Sequence, residues 1–144
     1  MGPAPLLLRV HDRIYQRTGG YLGHRVPGIP PSLLLHTTGA RTGRPRTRTL
    51  TYARDGRDYL IVASNGGADR HPAWYHNLRK HPRVEINVGP HRMTVQARFF
   101  GPDDPEYPRL WRIVNDNNAN RYEADQRRTS RPIPVIALRP TGVL

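Results

Sequence analysis

Two turn signals constrain this chain more than any other feature. Asp55-Gly56 separates a Thr-rich stretch, Arg46–Tyr52, from the apolar run Tyr59–Ser64, and Gly89-Pro90 separates Val84–Val88 from Met93–Phe99. Asp-Gly between two strand-like runs favours a tight hairpin turn, because its residues tolerate left-handed backbone. Two hairpins with one short helix between them call for an antiparallel sheet. A doubly wound fold would need regular strand–helix alternation, and that is missing.

The remaining elements fit this frame. Gly28 through Pro31 reads as a linker, Ser32–His36 as a short apolar strand, and Thr37–Arg46 as a Gly-, Thr- and Arg-rich loop. Asn65-Gly66-Gly67 breaks the chain after the Tyr59–Ser64 strand. A helix starting at Pro72 then runs to about Lys80, with Asp69 as its candidate cap, and His81-Pro82 ends it. Asp103–Asn115 and Asn117–Arg128 read as helical, and Pro134–Leu138 as the last strand. The expected fold is mainly β (α+β): a small, largely antiparallel barrel with flanking helices. At 144 residues the chain fits one domain, 1–144, with its barrel over 32–140.

Residues 4–17 have helical periodicity, with Leu7, Val10 and Ile14 on one face and Arg9, Arg13 and Arg17 at the flanks. Most such helices pack on their own domain. The basic flanks give residues 1–18 a second use, peripheral contact with an anionic membrane. No apolar run is long enough to cross a bilayer, and the chain has no cysteine, so a cytoplasmic location is expected. The net charge is +12, and only Lys80 is lysine, leaving 22 arginines. Such a charge suits nucleic acid, an anionic membrane or a phosphorylated, carboxylated cofactor, and by itself does not choose among them.

Two segments could carry chemistry. In Thr37-Thr38-Gly39-Ala40-Arg41-Thr42-Gly43-Arg44-Pro45-Arg46, glycines free backbone N–H groups to face an anion, and arginines supply forks that match phosphate oxygens. The stretch lacks the ending of a P-loop and the glycine spacing of a dinucleotide fingerprint, so phosphate site and solvated turn both stay open. In Ala63 through Leu78 a buried strand runs into a Gly-Gly turn, where a flat ligand can approach the backbone. The helix behind it offers Trp74, Tyr75 and Asn77, and Trp74 and Leu78 also suit a core. His71, His76 and His81 are spaced five apart, which scatters them round a helix, so no metal site is expected. No nucleophile with a base is evident, which leaves hydrolase chemistry without support. No nucleic-acid-binding module is evident either.

Taken together, Thr-Thr-Gly-x-Arg-Thr-Gly-x-x-Arg and the later Ser-x-Gly-Gly-Ala-x-x-x-Pro-x-Trp-Tyr-x-Asn-Leu resemble the deazaflavin-dependent nitroreductases. These are coenzyme F420-dependent quinone reductases on a split β-barrel. The resemblance runs from about Tyr15 to Pro140 and ends in Thr129-x-Arg131-x-Ile133-Pro134-Val135. It implies that Ala40, Arg41, Thr42 and Arg46 hold the cofactor's phosphate, beside Thr47, Arg48, Thr49, Leu50 and Thr51. It implies that Val62, Ala63, Ser64 and Asn65 follow the deazaflavin ring, and that Ala73, Trp74, Tyr75, His76 and Asn77 close the other side.

The chain departs from the family's well-studied member in three places. That member has lysine in place of Asn65, tyrosine in place of Thr51, and a tyrosine triplet of which only Tyr122 survives here, Ala119 and Asp125 taking the other positions. The expected activity is hydride transfer from reduced F420 to a quinone, enone or nitroaromatic, with Ser64 and Tyr122 positioning the acceptor oxygen. The alternatives are an FMN-dependent reductase of similar fold and a nonenzymatic F420 carrier.

Overall fold

The strands alternate inward and outward, and that alternation builds two cores on opposite faces of one sheet. The computed structural model describes residues 29–141. The amphipathic stretch expected over 4–17 lies outside them. Strands β1 (Ser32–Thr38), β2 (Pro45–Thr51), β3 (Ala53–Asp55), β4 (Asp58–Val62), β5 (Arg83–Val88), β6 (His91–Phe100) and β7 (Val135–Pro140) form a sheet in the order β2-β1-β5-β6-β7-β4-β3. Every pairing is antiparallel.

Leu33 and Leu35 of β1, Tyr59 and Ile61 of β4, Val84, Ile86 and Val88 of β5, Val95 and Ala97 of β6, and Ile136 and Leu138 of β7 share one core. It draws on five of the seven strands and is the interior of the curled sheet. Helix α1 (Ala73–Lys80) adds Trp74 and Leu78 to it. The alternate residues Leu60, Val62, Val135 and Ala137 face outward, against Tyr107, Leu110 and Val114 of α2 (Tyr107–Asn117) and Tyr122 of α3 (Arg121–Gln126). Strand β4 is therefore buried along its whole length.

The two edge strands, β2 and β3, are separated in the chain by Tyr52 alone. The stretch expected as one strand over Arg46–Tyr52 thus ends at Thr51, and the chain turns there to pair with a different neighbour. Tyr52 lies between the two ladders and bonds elsewhere. Its N–H donates to the Pro31 carbonyl at 3.0 Å, and its own carbonyl accepts from the Asn117 amide at 2.9 Å. With its edges joined through one residue, the sheet curls round on itself as a split barrel.

Two expectations about helix starts are corrected. Asp69 does not cap α1: Pro72 stands at that position, and Asp69 accepts from the Thr129 hydroxyl at 2.7 Å. The helix expected from Asp103 begins at Tyr107, because Asp104 accepts from the Glu106 N–H at 2.9 Å and holds a turn. Buried side-chain bonds then fix the outer helices. The Tyr107 hydroxyl donates to the Ile133 carbonyl at 2.5 Å, the Trp111 indole donates to Glu123, and Asn115 Oδ1 accepts from the Glu123 N–H at 2.9 Å. Burial pushes the Tyr107 phenol up to about 12, so it keeps the proton it donates.

The turn Asn65–Gly67 presses against α3. Gly67 has φ +86, and a Cβ there would stand 2.7 Å from the Asp125 carbonyl oxygen and 2.9 Å from the Arg128 Cβ. Gly56 also has positive φ, +59, but nothing lies within 4 Å of its missing Cβ. Left-handed backbone costs an alanine roughly 1–2 kcal/mol. Gly56→Ala should lose about that much, whereas Gly67→Ala should lose clearly more because α3 must also move. Urea unfolding of the two variants measures the difference, and equal losses would show that the close approach is not maintained.

Candidate active-site groove

The Gly39–Arg44 loop is shaped from within and from behind. The Gly39 N–H donates to the Arg44 carbonyl at 2.8 Å, and the Gly43 N–H donates to the Gly39 carbonyl at 2.9 Å. Behind the loop stands Asn77 of α1, which is buried. Its Oδ1 accepts from the Ala40 N–H at 2.8 Å, and its amide donates to the Thr37 hydroxyl at 3.2 Å. Lys80, one turn further on, donates to the Ala40 carbonyl at 2.8 Å. The expected contact residue Asn77 thus spends its polar atoms on positioning the loop.

In front of the loop lies a groove of about 1040 Å³, lined by Arg41, Arg46, Arg48, Arg70, His71 and Asn65 among others. It also takes in Ala40, Thr42, Ala73, Trp74, His76 and Asn77. No carboxylate lines it, and none of its four arginines forms an ion pair with a described residue. Strand β2 is an edge, so Arg46 and Arg48 project from it without a neighbouring strand to screen them. This concentration of unpaired guanidinium groups favours an extended polyanion.

The turn after β4 forms the far end. Asn65, Gly66 and Gly67 have φ of 48, 65 and 86 in succession, and the Asn65 amide donates to the Arg70 carbonyl at 3.0 Å. Asparagine tolerates this backbone better than most residues with a side chain. Arg131 secures the segment: its guanidinium donates to the carbonyls of Ala63 at 3.2 Å, Ser64 at 2.9 Å and Ala68 at 2.8 Å. Its Nη1 also stands 3.1 Å from His71 Nδ1. Burial, then the Arg131 charge and then His76, hold the His71 imidazole below its ordinary value of 6.5. Neutral His71 accepts the Arg131 bond, and protonation removes that lone pair. The folded state thus takes up this proton less readily than the unfolded chain, so the bond's contribution is full above pH 6.5 and is lost as pH falls below it.

A second, wider groove of about 1230 Å³ is lined by residues next in the chain to those of the first, Thr49 after Arg48 on β2, and Ser64 and Gly66 on either side of Asn65. Thr49, Leu50, Thr51, Val62 and Ser64 line it together with Asn117 to Tyr122 and Asp125. Ser64 Oγ has no hydrogen-bond partner among the described residues. Burial raises the Tyr122 pKa, an effect opposed by a hydrogen bond from the Asn118 side chain. Its phenol therefore stays protonated, with an O–H to donate.

Fifteen of the eighteen cofactor-binding positions expected from the sequence line one groove or the other, and Tyr122 joins them. Thr47, Ala63 and Tyr75 line neither. The Thr47 hydroxyl meets His36 at 3.1 Å, Ala63 is fully buried with its carbonyl bonded to Arg131, and the Tyr75 ring stacks on His71. Sequence reasoning missed Arg70 and His71, which lie inside a motif it had noticed. It also missed the anchoring role of Arg131, whose only signal was its place in the closing motif. Asn77→Ala should leave the Ala40 N–H and the Thr37 hydroxyl without partners, at a cost of about 1–3 kcal/mol. Amide hydrogen exchange should then quicken at Ala40; unchanged protection there would contradict the clamp.

The matching family model, described as F420H2-dependent quinone reductase, covers residues 7–140. An F420H2-dependent quinone reductase of Mycobacterium tuberculosis (strain H37Rv) is 67% identical over 132 residues, spanning 92% of this chain and 89% of that protein. Among solved structures, an F420H2-dependent reductase is similar at 30% identity, with a TM-score of 0.66 over 79% of this chain and 99% of that one. A chain described as a domain-swapped dimer is similar at 28% identity, with a TM-score of 0.68 over 92% of this chain and 96% of that one. Groove, fold and sequence agree: the chain belongs to the F420H2-dependent quinone reductase family, a family of oxidoreductases that use reduced coenzyme F420.

Proposed function

We propose that this protein reduces a quinone, with enones and nitroaromatics as further acceptors, holding F420 across both grooves. The observation that carries the reading is that consecutive residues of β2 and of the turn after β4 line both a cationic groove without carboxylates and a wider groove that includes Ser64 and Tyr122. A phosphodiester followed by glutamates suits the first groove, and a flat ring suits the second. When bound, reduced F420 supplies a hydride from C5 of its ring.

The chain's own residues then have distinct tasks. Arg41, Arg46 and Arg48, with Ala40 and Thr42 of the clamped loop, hold the anionic tail. Val62, Ser64 and Asn65 offer backbone and small side chains along the ring. The Ser64 and Tyr122 hydroxyls donate to the acceptor oxygen, where negative charge grows as hydride arrives. The raised Tyr122 pKa keeps the phenol protonated, as hydrogen-bond donation requires. No described helix is long and apolar enough to cross a membrane. We propose a cytoplasmic protein that meets lipid-soluble quinones at the membrane surface through its basic residues 1–18.

An FMN reductase would have little use for four unpaired arginines in one groove, and a carrier would have little use for an open hydroxyl-lined one. Titration with oxidised F420 and with FMN separates the first pair, and loss of F420H2 absorbance with menadione separates the second. We expect binding of F420 well ahead of FMN, and measurable turnover of menadione. FMN binding as tight as F420, or tight F420 binding without oxidation by any quinone, enone or nitro compound, would overturn the proposal. Arg41 is exposed and forms no ion pair with a described residue. Arg41→Ala should weaken F420 about ten- to hundredfold, since a charge-assisted bond is worth roughly 1.5–3 kcal/mol, and should leave the unfolding midpoint in place. Arg41→Lys should recover only part of the loss if the contact is bidentate.

A further inference from the structure

Six polar side chains of the described residues are buried: Ser32, Thr37, Asp58, Asn77, Asn115 and Asp125. Asp58 pairs with Arg139 at 2.8 Å, Thr37 and Asn77 bond each other, and Asn115 bonds the Trp111 carbonyl and the Glu123 N–H. Ser32 also has a partner. Asp125 differs from all five. It is 8% exposed, and no hydrogen bond or ion pair of a described residue reaches its carboxylate. Removing a carboxylate from water without a donor is unfavourable, and folded proteins keep such groups where something else completes them.

The position of Asp125 indicates what completes it. It stands three residues after Tyr122 on α3, so the two share a helix face, and both line the wider groove. Ser64 and Val62 line the same groove. Arg121 and Arg128 also line it, yet neither pairs with Asp125. The backbone at Asp125 is held against Gly67, which keeps this part of α3 close to the Ser64–Gly67 turn. A fixed acceptor beside the Tyr122 donor can read two features of one flat molecule: a carbonyl through the phenol, and a neighbouring O–H or N–H through the carboxylate.

We propose that Asp125 is a specificity residue. Its carboxylate accepts a hydrogen bond from an O–H or N–H on the acceptor's ring or short side chain. The groove then favours neutral or cationic quinones that carry such a donor, and disfavours anionic ones. This rests on reading the wider groove as the place where hydride is accepted. The rival source of the same donor chemistry is an N–H of the coenzyme's own ring.

The test uses 1,4-naphthoquinones whose single side chain ends in methyl, hydroxyl, ammonium or carboxylate. Each is titrated by calorimetry into the full chain, alone and saturated with oxidised F420, so that no turnover occurs. The parent should bind the hydroxyl and ammonium compounds about ten- to hundredfold more tightly than the methyl compound, and the carboxylate compound more weakly. Asp125→Asn should flatten the charge-dependent part of that order while binding oxidised F420 as the parent does. Its thermal midpoint should equal or exceed the parent's, because a buried, unpaired charge is removed.

An unchanged order in Asp125→Asn would overturn the proposal, as would a lower midpoint, which would mean that the carboxylate is paired within the fold. Weaker F420 binding with an unchanged quinone order would overturn it in favour of the coenzyme ring. If oxidised F420 does not bind the parent at all, the proposed function fails on that titration. The quinone series in the protein alone still decides the role of Asp125.

Discussion

Tyr52 is the seam of this barrel. It carries the chain from one edge strand to the other, and both of its backbone polar groups are bonded outside the two ladders, to Pro31 and Asn117. Its ring packs edge-on against Tyr59 at 5.3 Å inside the barrel. Joining the edges through one residue lets the sheet curl while β2 keeps an unpaired margin. Unpaired edges invite aggregation unless something blunts them, and Arg46 and Arg48 do so here with charge. The same exposure makes β2 the shared wall of both grooves.

The grooves are shaped by side chains whose polar atoms bond to backbone and to other side chains of the protein. Asn77 fixes the Gly39–Arg44 loop, and Arg131 gathers the carbonyls of the Ala63–Ala68 segment. Each replaces backbone bonds that a loop cannot make in a ladder. The four arginines lining the groove in front of these supports form no ion pair with a described residue. Supports of this kind behind the exposed groove-lining arginines keep the groove formed in advance, which lowers the ordering cost of any binding there.

Much of the architecture was legible from local signals. Asp55-Gly56 and Gly89-Pro90 do turn β3 into β4 and β5 into β6. The apolar run Tyr59–Ser64 identified β4, and Val84–Val88 and Pro134–Leu138 were read as the strands that are β5 and β7. The change of partner at Tyr52 was not legible, because nothing in Arg46–Tyr52 distinguishes one continuous strand from two short ones. Asp69 and Asp103 looked like helix starts because an acid before a helical run usually caps it, but the bond of Asp69 to Thr129 spans sixty residues. The two groove-lining loops stood out through their glycine and arginine spacing. Asn77 and Arg131 were not, since their tasks depend on which loops the barrel brings within reach. The unpartnered state of Asp125 likewise exists only in three dimensions.

The proposed function requires the two grooves to act as one binding site, tail in the cationic part and ring in the wider part. The most direct measurement is a titration of the nitrogen-15-labelled protein with oxidised F420, followed amide by amide. Ala40, Arg41 and Thr42 at one end and Ser64, Asn65 and Gly66 at the other should shift together in a single saturable step. Shifts confined to one groove, two separate binding steps, or perturbations centred on the outer face of α2 would contradict it.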